Sequence, residues 1–278
     1  MSFVTIDDPG DARLDEYRNI PDGDLVASRG IFVAEGRFVV SRLLTESALA
    51  TRSVMVTEAA RASLADVFAA RPEVPVYVVP QSVADGVAGV HIHRGCLATG
   101  VRPAAQPWQQ MVGATHLSAV ASAKADGSPI LVVLERVANA DNVGGVFRNA
   151  AAFGADAVLL DAVSTDPLYR KAIRTSMGAA LRVPFARADP WPDALHELRR
   201  MGFALLAMTP AGDALPLREC VARVAGRPVA LVLGHEGDGL TDAALEACDL
   251  RARIPMASGI DSVNVASAAA IALYELRR

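Results

Sequence analysis

Apolar residues in this chain fall into short runs whose spacing changes along its length. From about residue 115 onward, nearly continuous apolar stretches recur at Ile130–Leu134, Ala157–Leu160, Phe203–Met208 and Val229–Leu233. Runs without polar alternation are what strands buried on both faces of a parallel sheet display. Between and after them lie helical stretches, Val143–Phe153, Trp191–Met201, Thr241–Ala247 and Val265–Leu276. A β-α-β-α order of this kind predicts an α/β sheet with helices on both sides.

The N-terminal part has shorter periods. Phe38–Leu44 reads as a helix, Ser53–Thr57 as a strand, and Glu58–Phe68 as a helical stretch. Val74–Val79 reads as another strand, with Pro75 near its start, where a missing N–H is easiest to tolerate. Pro80 closes it, and a helix starts near Gln81-Ser82. Gly100, Pro103 and Pro107 then break the pattern. The expected organisation is a small α/β domain over 1–105, a linker over 106–114 and a larger domain over 115–278.

The apolar fraction of 52% against 21% charged excludes a disordered polymer. With only 5% aromatics, the interior must be filled by small aliphatic groups. No stretch reaches the roughly 18 uninterrupted apolar residues that a spanning helix needs. Acids at Asp7 and Asp8 stand where a secretory signal carries Lys or Arg, so a soluble cytoplasmic protein is expected. Cys96, Cys220 and Cys248 lie far apart, which argues against disulfides and against zinc. His91 and His93 share a strand face, but no nearby Cys, Asp or Glu completes a metal site, and none is expected. The net charge of −4 is awkward for a nucleic-acid partner. A local basic segment, Arg170, Lys171, Arg174, Arg182 and Arg187, contains no acid and supplies the patch such a partner needs.

Three segments carry candidate chemistry. The first runs from Asn139 to Gly154, leaving one strand and opening a helix that Asp141 or Asn142 can cap and Gly154 can end. Arg148 sits about one and a half turns past Asn142, with no acid at i±3 or i±4 to pair with it. The second, Gly234-His235-Glu236-Gly237-Asp238-Gly239, is a glycine loop after a buried strand. Such a loop lets backbone approach a ligand at the carboxyl end of a sheet. It is neither the G-x-G-x-x-G fingerprint, with its acid about 20 residues on, nor a phosphate loop with Lys, so a dinucleotide-dependent oxidoreductase is set aside. The third runs from Arg253 to Ile271, where Ser262 or Asn264 caps an Ala-rich helix able to approach another backbone closely.

Together and in this order, the segments resemble the signature motifs of the SpoU family of RNA ribose methyltransferases. Asn142, Gly144, Arg148, Ala150 and Phe153-Gly154 match the first motif. Gly234, Glu236, Gly237 and Gly239 match the second, and Ile254-Pro255-Met256 with Ser262-Val263-Asn264 match the third. Ser176-Met177-Gly178-Ala179 matches an intermediate Ser-x-Gly-Ala feature. The chain departs from the pattern at Asn139-Ala140, usually Asp-Pro, at His235, commonly a small residue, and at Val263, usually Leu.

The resemblance implies a deep trefoil knot in the 115–278 domain, a homodimer formed through that domain, and an N-terminal L30e-like RNA-binding domain. It implies S-adenosylmethionine as cofactor, held around Gly234, Gly239, Ile254, Met256 and Val263. The implied catalytic surface is Arg148, Asn142, Glu236, Ser262 and Asn264, with Arg170, Lys171 and Arg174 on RNA. The implied reaction is methyl transfer to a ribose 2′-hydroxyl of ribosomal RNA. Transfer RNA as substrate, or a non-catalytic RNA-binding member of the fold, are the alternatives. A guanidinium has donors and no acceptor. Arg148 is therefore expected to engage an RNA phosphate and orient the hydroxyl, with the phosphate or a transiently neutral Arg taking the proton.

Overall fold

A computed structural model describes residues 3–18, 21–89, 95–121 and 128–278, the side chains of 115–121 excepted. His91 and His93 lie outside the described residues. The chain divides into two compact units, one of residues 1–104 and 167–182, the other of 105–166 and 183–278.

The first unit is built on strands β1 (Phe3–Thr5), β2 (Ile31–Glu35), β3 (Thr51–Val56), β4 (Val76–Val78) and β5 (Cys96–Val101). Their order in the sheet is β1-β4-β3-β5-β2. β1, β4 and β3 run parallel, while β5 is antiparallel to both β3 and β2. Helices α1 (Arg37–Glu46), α2 (Glu58–Ser63), α3 (Ala65–Ala69) and α4 (Gln81–Ala88) connect them. The single helix expected over Glu58–Phe68 is two, because Leu64 leaves helical geometry at φ −116°, ψ 16°. Gly100 does not end a strand but continues β5, and a Cβ there would lie 2.2 Å from the Phe32 ring. The glycine is a packing requirement that reads locally as a break. Within this unit, the buried Tyr17 hydroxyl bonds Ser53 Oγ at 2.6 Å, and Ser53 Oγ bonds Thr99 Oγ1 at 3.2 Å.

The second unit carries strands β6 (Ile130–Leu134), β7 (Ala157–Leu160), β8 (Phe185–Arg187), β9 (Ala204–Met208), β10 (Leu215–Pro216), β11 (Val229–Leu233) and β12 (Leu250–Arg253). The order is β10-β12-β9-β11-β6-β7-β8, and every pairing is parallel. β6, β7 and β11 are buried throughout, as their unbroken apolar runs require. The helices of this half are α5 (Trp108–Ala121), α6 (Ala140–Ala152), α8 (Asp193–Arg200), α9 (Leu217–Val224), α10 (Asp242–Ala247) and α11 (Val265–Arg277), with α7 (Arg170–Thr175) belonging to the first unit.

The linker expected over 106–114 is irregular only to Pro107. Trp108, Met111 and Val112 then recur at helical spacing, and Trp108 and Val112 are buried in a core with Leu195, Leu198, Ala244 and Ala247. Burial of that face makes the segment part of the domain. On α6 and α11, Asn149 Nδ2 donates to Ala266 O at 2.6 Å. A Cβ on Gly145 would stand 2.7 Å from the Ala266 methyl, so glycine and alanine permit the close approach expected of the Ala-rich helix.

Candidate functional site

In a parallel sheet all strands end on the same edge, so the loops that follow neighbouring strands converge there. Here β12, β9, β11 and β6 are consecutive neighbours. The loops that follow β9, β11 and β12 enclose a cavity of about 330 Å³ lined by Met208, Thr209, Gly234, His235, Glu236, Gly239, Ile254, Met256, Ser262, Val263 and Asn264. All five residues expected at a cofactor stand on its wall, as do Glu236, Ser262 and Asn264. Met208, Thr209 and Pro210 are added by the structure; they end and follow β9, whose place beside β11 no local motif announces.

The second motif forms a closed turn. His235 and Gly239 exchange two backbone hydrogen bonds, at 3.1 and 3.0 Å. Gly239 has φ +71°, which a side chain resists. Gly234 has no room for a Cβ, which would meet the Gly239 carbonyl carbon and Leu240 N at 2.5 Å. His235 Nδ1 accepts from the backbone N–H of Gly237 at 3.0 Å and of Asp238 at 3.1 Å. The departure at His235 thus braces the turn from within.

Three polar side chains from distant segments meet beside this cavity. Asn264 Nδ2 donates to Asn142 Oδ1 at 2.7 Å, and Asn142 Nδ2 donates to Glu236 Oε1 at 2.5 Å. Asn142 is buried in the first turn of α6. Asn264 Oδ1 caps α11 by accepting from Ala266 N at 2.9 Å. Of the two caps open for that helix, Asn264 is therefore the one used. For α6 neither Asp141 nor Asn142 is the cap; Asn139 is, through its side-chain oxygen and Asp141 N at 2.8 Å. This frees Asn142 to bridge two loops instead of serving its own helix.

Arg148 stands apart from this chain of bonds. It is exposed on α6 and, among the described residues, has no hydrogen-bond or ion-pair partner. Six positions along a helix rotate a side chain by roughly 120° from the starting face, which separates it from Asn142. Ser262 is also exposed, on the cavity wall.

The basic segment is divided. Arg170, Lys171 and Arg174 lie on α7, in the first unit. There Arg174 Nη1 lies 3.4 Å from Glu35, and Arg182 lies 2.7 Å from Glu46. Asp22 Oδ2 accepts from Arg170 N at 3.0 Å, and burial raises the Asp22 carboxyl above its ordinary range. Arg187 belongs to the second unit, where its Nη1 donates to the carbonyls of Asp161 and Ser164, both at 2.6 Å. It is a strut, not part of a cationic patch. The acids that pair these cations come from elsewhere in the chain, so scanning 170–187 alone does not find them.

A second cavity, about 860 Å³, opens at the opposite edge, near the starts of β6 and β11. Its Arg277 bonds the carbonyls of Phe153 and Ser128 at 3.1 and 3.3 Å and faces Asp156 at 3.7 Å, a structural lock. Among the described residues no group of three or more His, Cys, Asp or Glu is arranged to hold a metal, and no helix is long and apolar enough to cross a membrane.

Residues 129–274 match the SpoU rRNA Methylase family. A tRNA/rRNA methyltransferase of Mycobacterium bovis, described as uncharacterized, is 42% identical over 275 residues, covering 98% of this chain and 90% of that protein. The crystal structure of an AdoMet-bound rRNA methyltransferase from Sinorhizobium meliloti superposes with a TM-score of 0.80 at 23% identity, over 99% of this chain and 98% of that one. That of an RNA 2′-O ribose methyltransferase superposes with a TM-score of 0.73 at 25% identity, over 99% and 98%.

Proposed function

The chain belongs to the SpoU rRNA Methylase family, and from that premise we propose that it transfers a methyl group from S-adenosylmethionine to a ribose 2′-hydroxyl of ribosomal RNA. The observation that carries the proposal is the Asn264–Asn142–Glu236 chain of hydrogen bonds at the wall of the glycine-lined cavity. It joins all three motifs into one polar surface beside a cofactor-sized space.

The cavity suits the cofactor on its own geometry. Gly234 leaves backbone where a Cβ would clash, and Ile254, Met256 and Val263 offer apolar wall to a nucleoside. The cofactor supplies a methyl group on a sulfonium, an electrophile that needs no metal. A hydroxyl attacks it only when held in line and relieved of its proton. Asn142 is fixed at both ends of its amide, so Glu236 and Asn264 are held at one spacing. Ser262 adds an exposed hydroxyl on the same wall. Arg148, having no partner of its own among the described residues, is available to grip an RNA phosphate with its planar fork and so orient the ribose. With the cofactor bound, the ribose oxygen would take the methyl as the sulfur–methyl bond breaks, leaving S-adenosylhomocysteine, and the hydroxyl proton would pass to the gripped phosphate or to a transiently neutral Arg148.

Further parts of the reading rest on the family. They are the trefoil knot in 115–278, an L30e-like RNA-binding role for 1–105 with Arg170, Lys171 and Arg174 on RNA, and a cytoplasmic homodimer. The homodimer is supported by Ile260, Val263, Ile271 and Tyr274, large apolar residues left 38–56% exposed in the second unit. The test is to map 2′-O-methylated positions in ribosomal RNA from cells with and without the gene. One ribosomal position that loses its methyl supports the proposal. An unchanged ribosomal map with a lost transfer-RNA site would move the substrate, and no change in any RNA would overturn methyl transfer.

A further inference from the structure

Glu135 follows β6 and is completely buried, yet among the described residues it pairs with no cation. Each bond of its carboxyl is one it accepts. Trp191 Nε1 donates to Oε1 at 2.6 Å, Thr241 Oγ1 to Oε1 at 2.7 Å, and Thr241 N to Oε2 at 2.8 Å. Burying a carboxyl is costly, and apolar groups of similar size in such places are often neutral or stabilising. Stability alone therefore does not account for it.

Its partners point to another role. Thr241 is the first residue after the glycine turn 234–240, whereas Glu135 N donates to Leu233 O, just before that turn, at 2.9 Å. The next residue, Arg136, reaches the middle of the turn, with Nη2 at 3.2 Å from Asp238 Oδ2. Arg136 holds this pose at φ +57°, a conformation that costs a non-glycine residue free energy. Its N–H is tied to Asp161 Oδ2 at 3.0 Å. The Glu135-Arg136 pair thus grips the turn at its entry, middle and exit.

We propose that Glu135 is a positioning residue that sets the shape of the 234–240 turn for cofactor binding, with Arg136 as its second hold. This rests on the reading that the turn binds S-adenosylmethionine. The backbone of a ligand-binding turn must be preorganised, or binding energy is spent ordering it. Glutamine at 135 replaces one acceptor oxygen with an NH2, which cannot accept from Thr241 or Trp191.

The experiment is calorimetric titration of the full chain with S-adenosylhomocysteine, at a temperature well below each variant's measured melting point. Glu135→Gln and Thr241→Val are expected to weaken binding about tenfold, the scale of one lost hydrogen bond to a charged group. Thr241→Ser, which keeps the hydroxyl, is expected to bind within about twofold of wild type. Arg136→Gln, at a partly exposed position, is expected to weaken binding by a smaller factor and to remain folded. Where Glu135→Gln does not fold, Thr241→Val and Arg136→Gln decide. Lower melting points with wild-type affinity in these variants would overturn the inference and leave the cofactor reading standing. A wild-type protein that does not bind the ligand removes the cofactor reading, and the inference with it.

Discussion

The Asn264 side-chain amide donates to Asn142 at 2.7 Å across 122 positions of sequence, while its own carbonyl caps the helix that it begins. One residue thus ends a loop, starts a helix and fixes the head of another helix. The bond passes on through Asn142 to Glu236, so a change at any of the three is felt by the others.

Asn142→Ala removes the bridge while leaving the cap of α6, which is Asn139, intact. Stability is expected to fall by about 1 kcal/mol. Methyl transfer is expected to fall on the order of 100-fold, the scale of one lost preorganised polar contact. Asn142→Asp is expected to be worse, because it sets a carboxylate against Glu236. Melting curves beside single-turnover transfer assays check both, and unaltered turnover in the alanine variant removes the bridge from the mechanism.

Among the described residues Arg148 has no partner to lose, so Arg148→Ala should leave stability within about 0.5 kcal/mol of wild type. Transfer to RNA should nonetheless collapse, with S-adenosylhomocysteine affinity unchanged. Arg148→Lys keeps the charge and loses the fork. Near-wild-type turnover in the lysine variant would be incompatible with a two-pronged grip on phosphate.

At Gly234 an added methyl meets backbone at 2.5 Å, and backbone cannot swing aside as a flexible side chain can. Gly234→Ala is expected to cost about 1–3 kcal/mol and to reshape the turn. Binding of S-adenosylhomocysteine should be lost below the melting point. Retained affinity would show that this turn is not part of the ligand's wall.

Burial pushes the thiols of Cys96 and Cys248 up to about 12, and raises that of Cys220, whose Sγ points to Arg251 O at 3.6 Å. A raised value means the neutral thiol persists as pH increases. For Cys96 and Cys248 only on the order of one thiol in ten thousand is then ionised at pH 8, and the thiolate is the reactive form. Iodoacetamide at that pH should leave the folded protein largely unmodified and label all three cysteines after denaturation, read by mass spectrometry. Rapid labelling of folded protein would contradict the burial.

The sequence by itself determined what depends on neighbours along the chain. The apolar runs at Ile130–Leu134, Ala157–Leu160 and Val229–Leu233 coincide with β6, β7 and β11, because a strand buried on both faces cannot alternate. The glycine loop and the Ile254–Asn264 loop, singled out by their motifs and flanking strands, both line the cavity. Tertiary structure decided what depends on the order of strands in the sheet. β12, β9, β11 and β6 are neighbours in space and in none of these pairs neighbours in sequence, so the meeting of Asn142, Glu236 and Asn264 has no local signal. The same holds for Glu135, whose partners Trp191 and Thr241 are 56 and 106 positions away. Periodicity reports which face of an element is buried; which loops then share an edge follows from long-range pairing, and there the site is assembled.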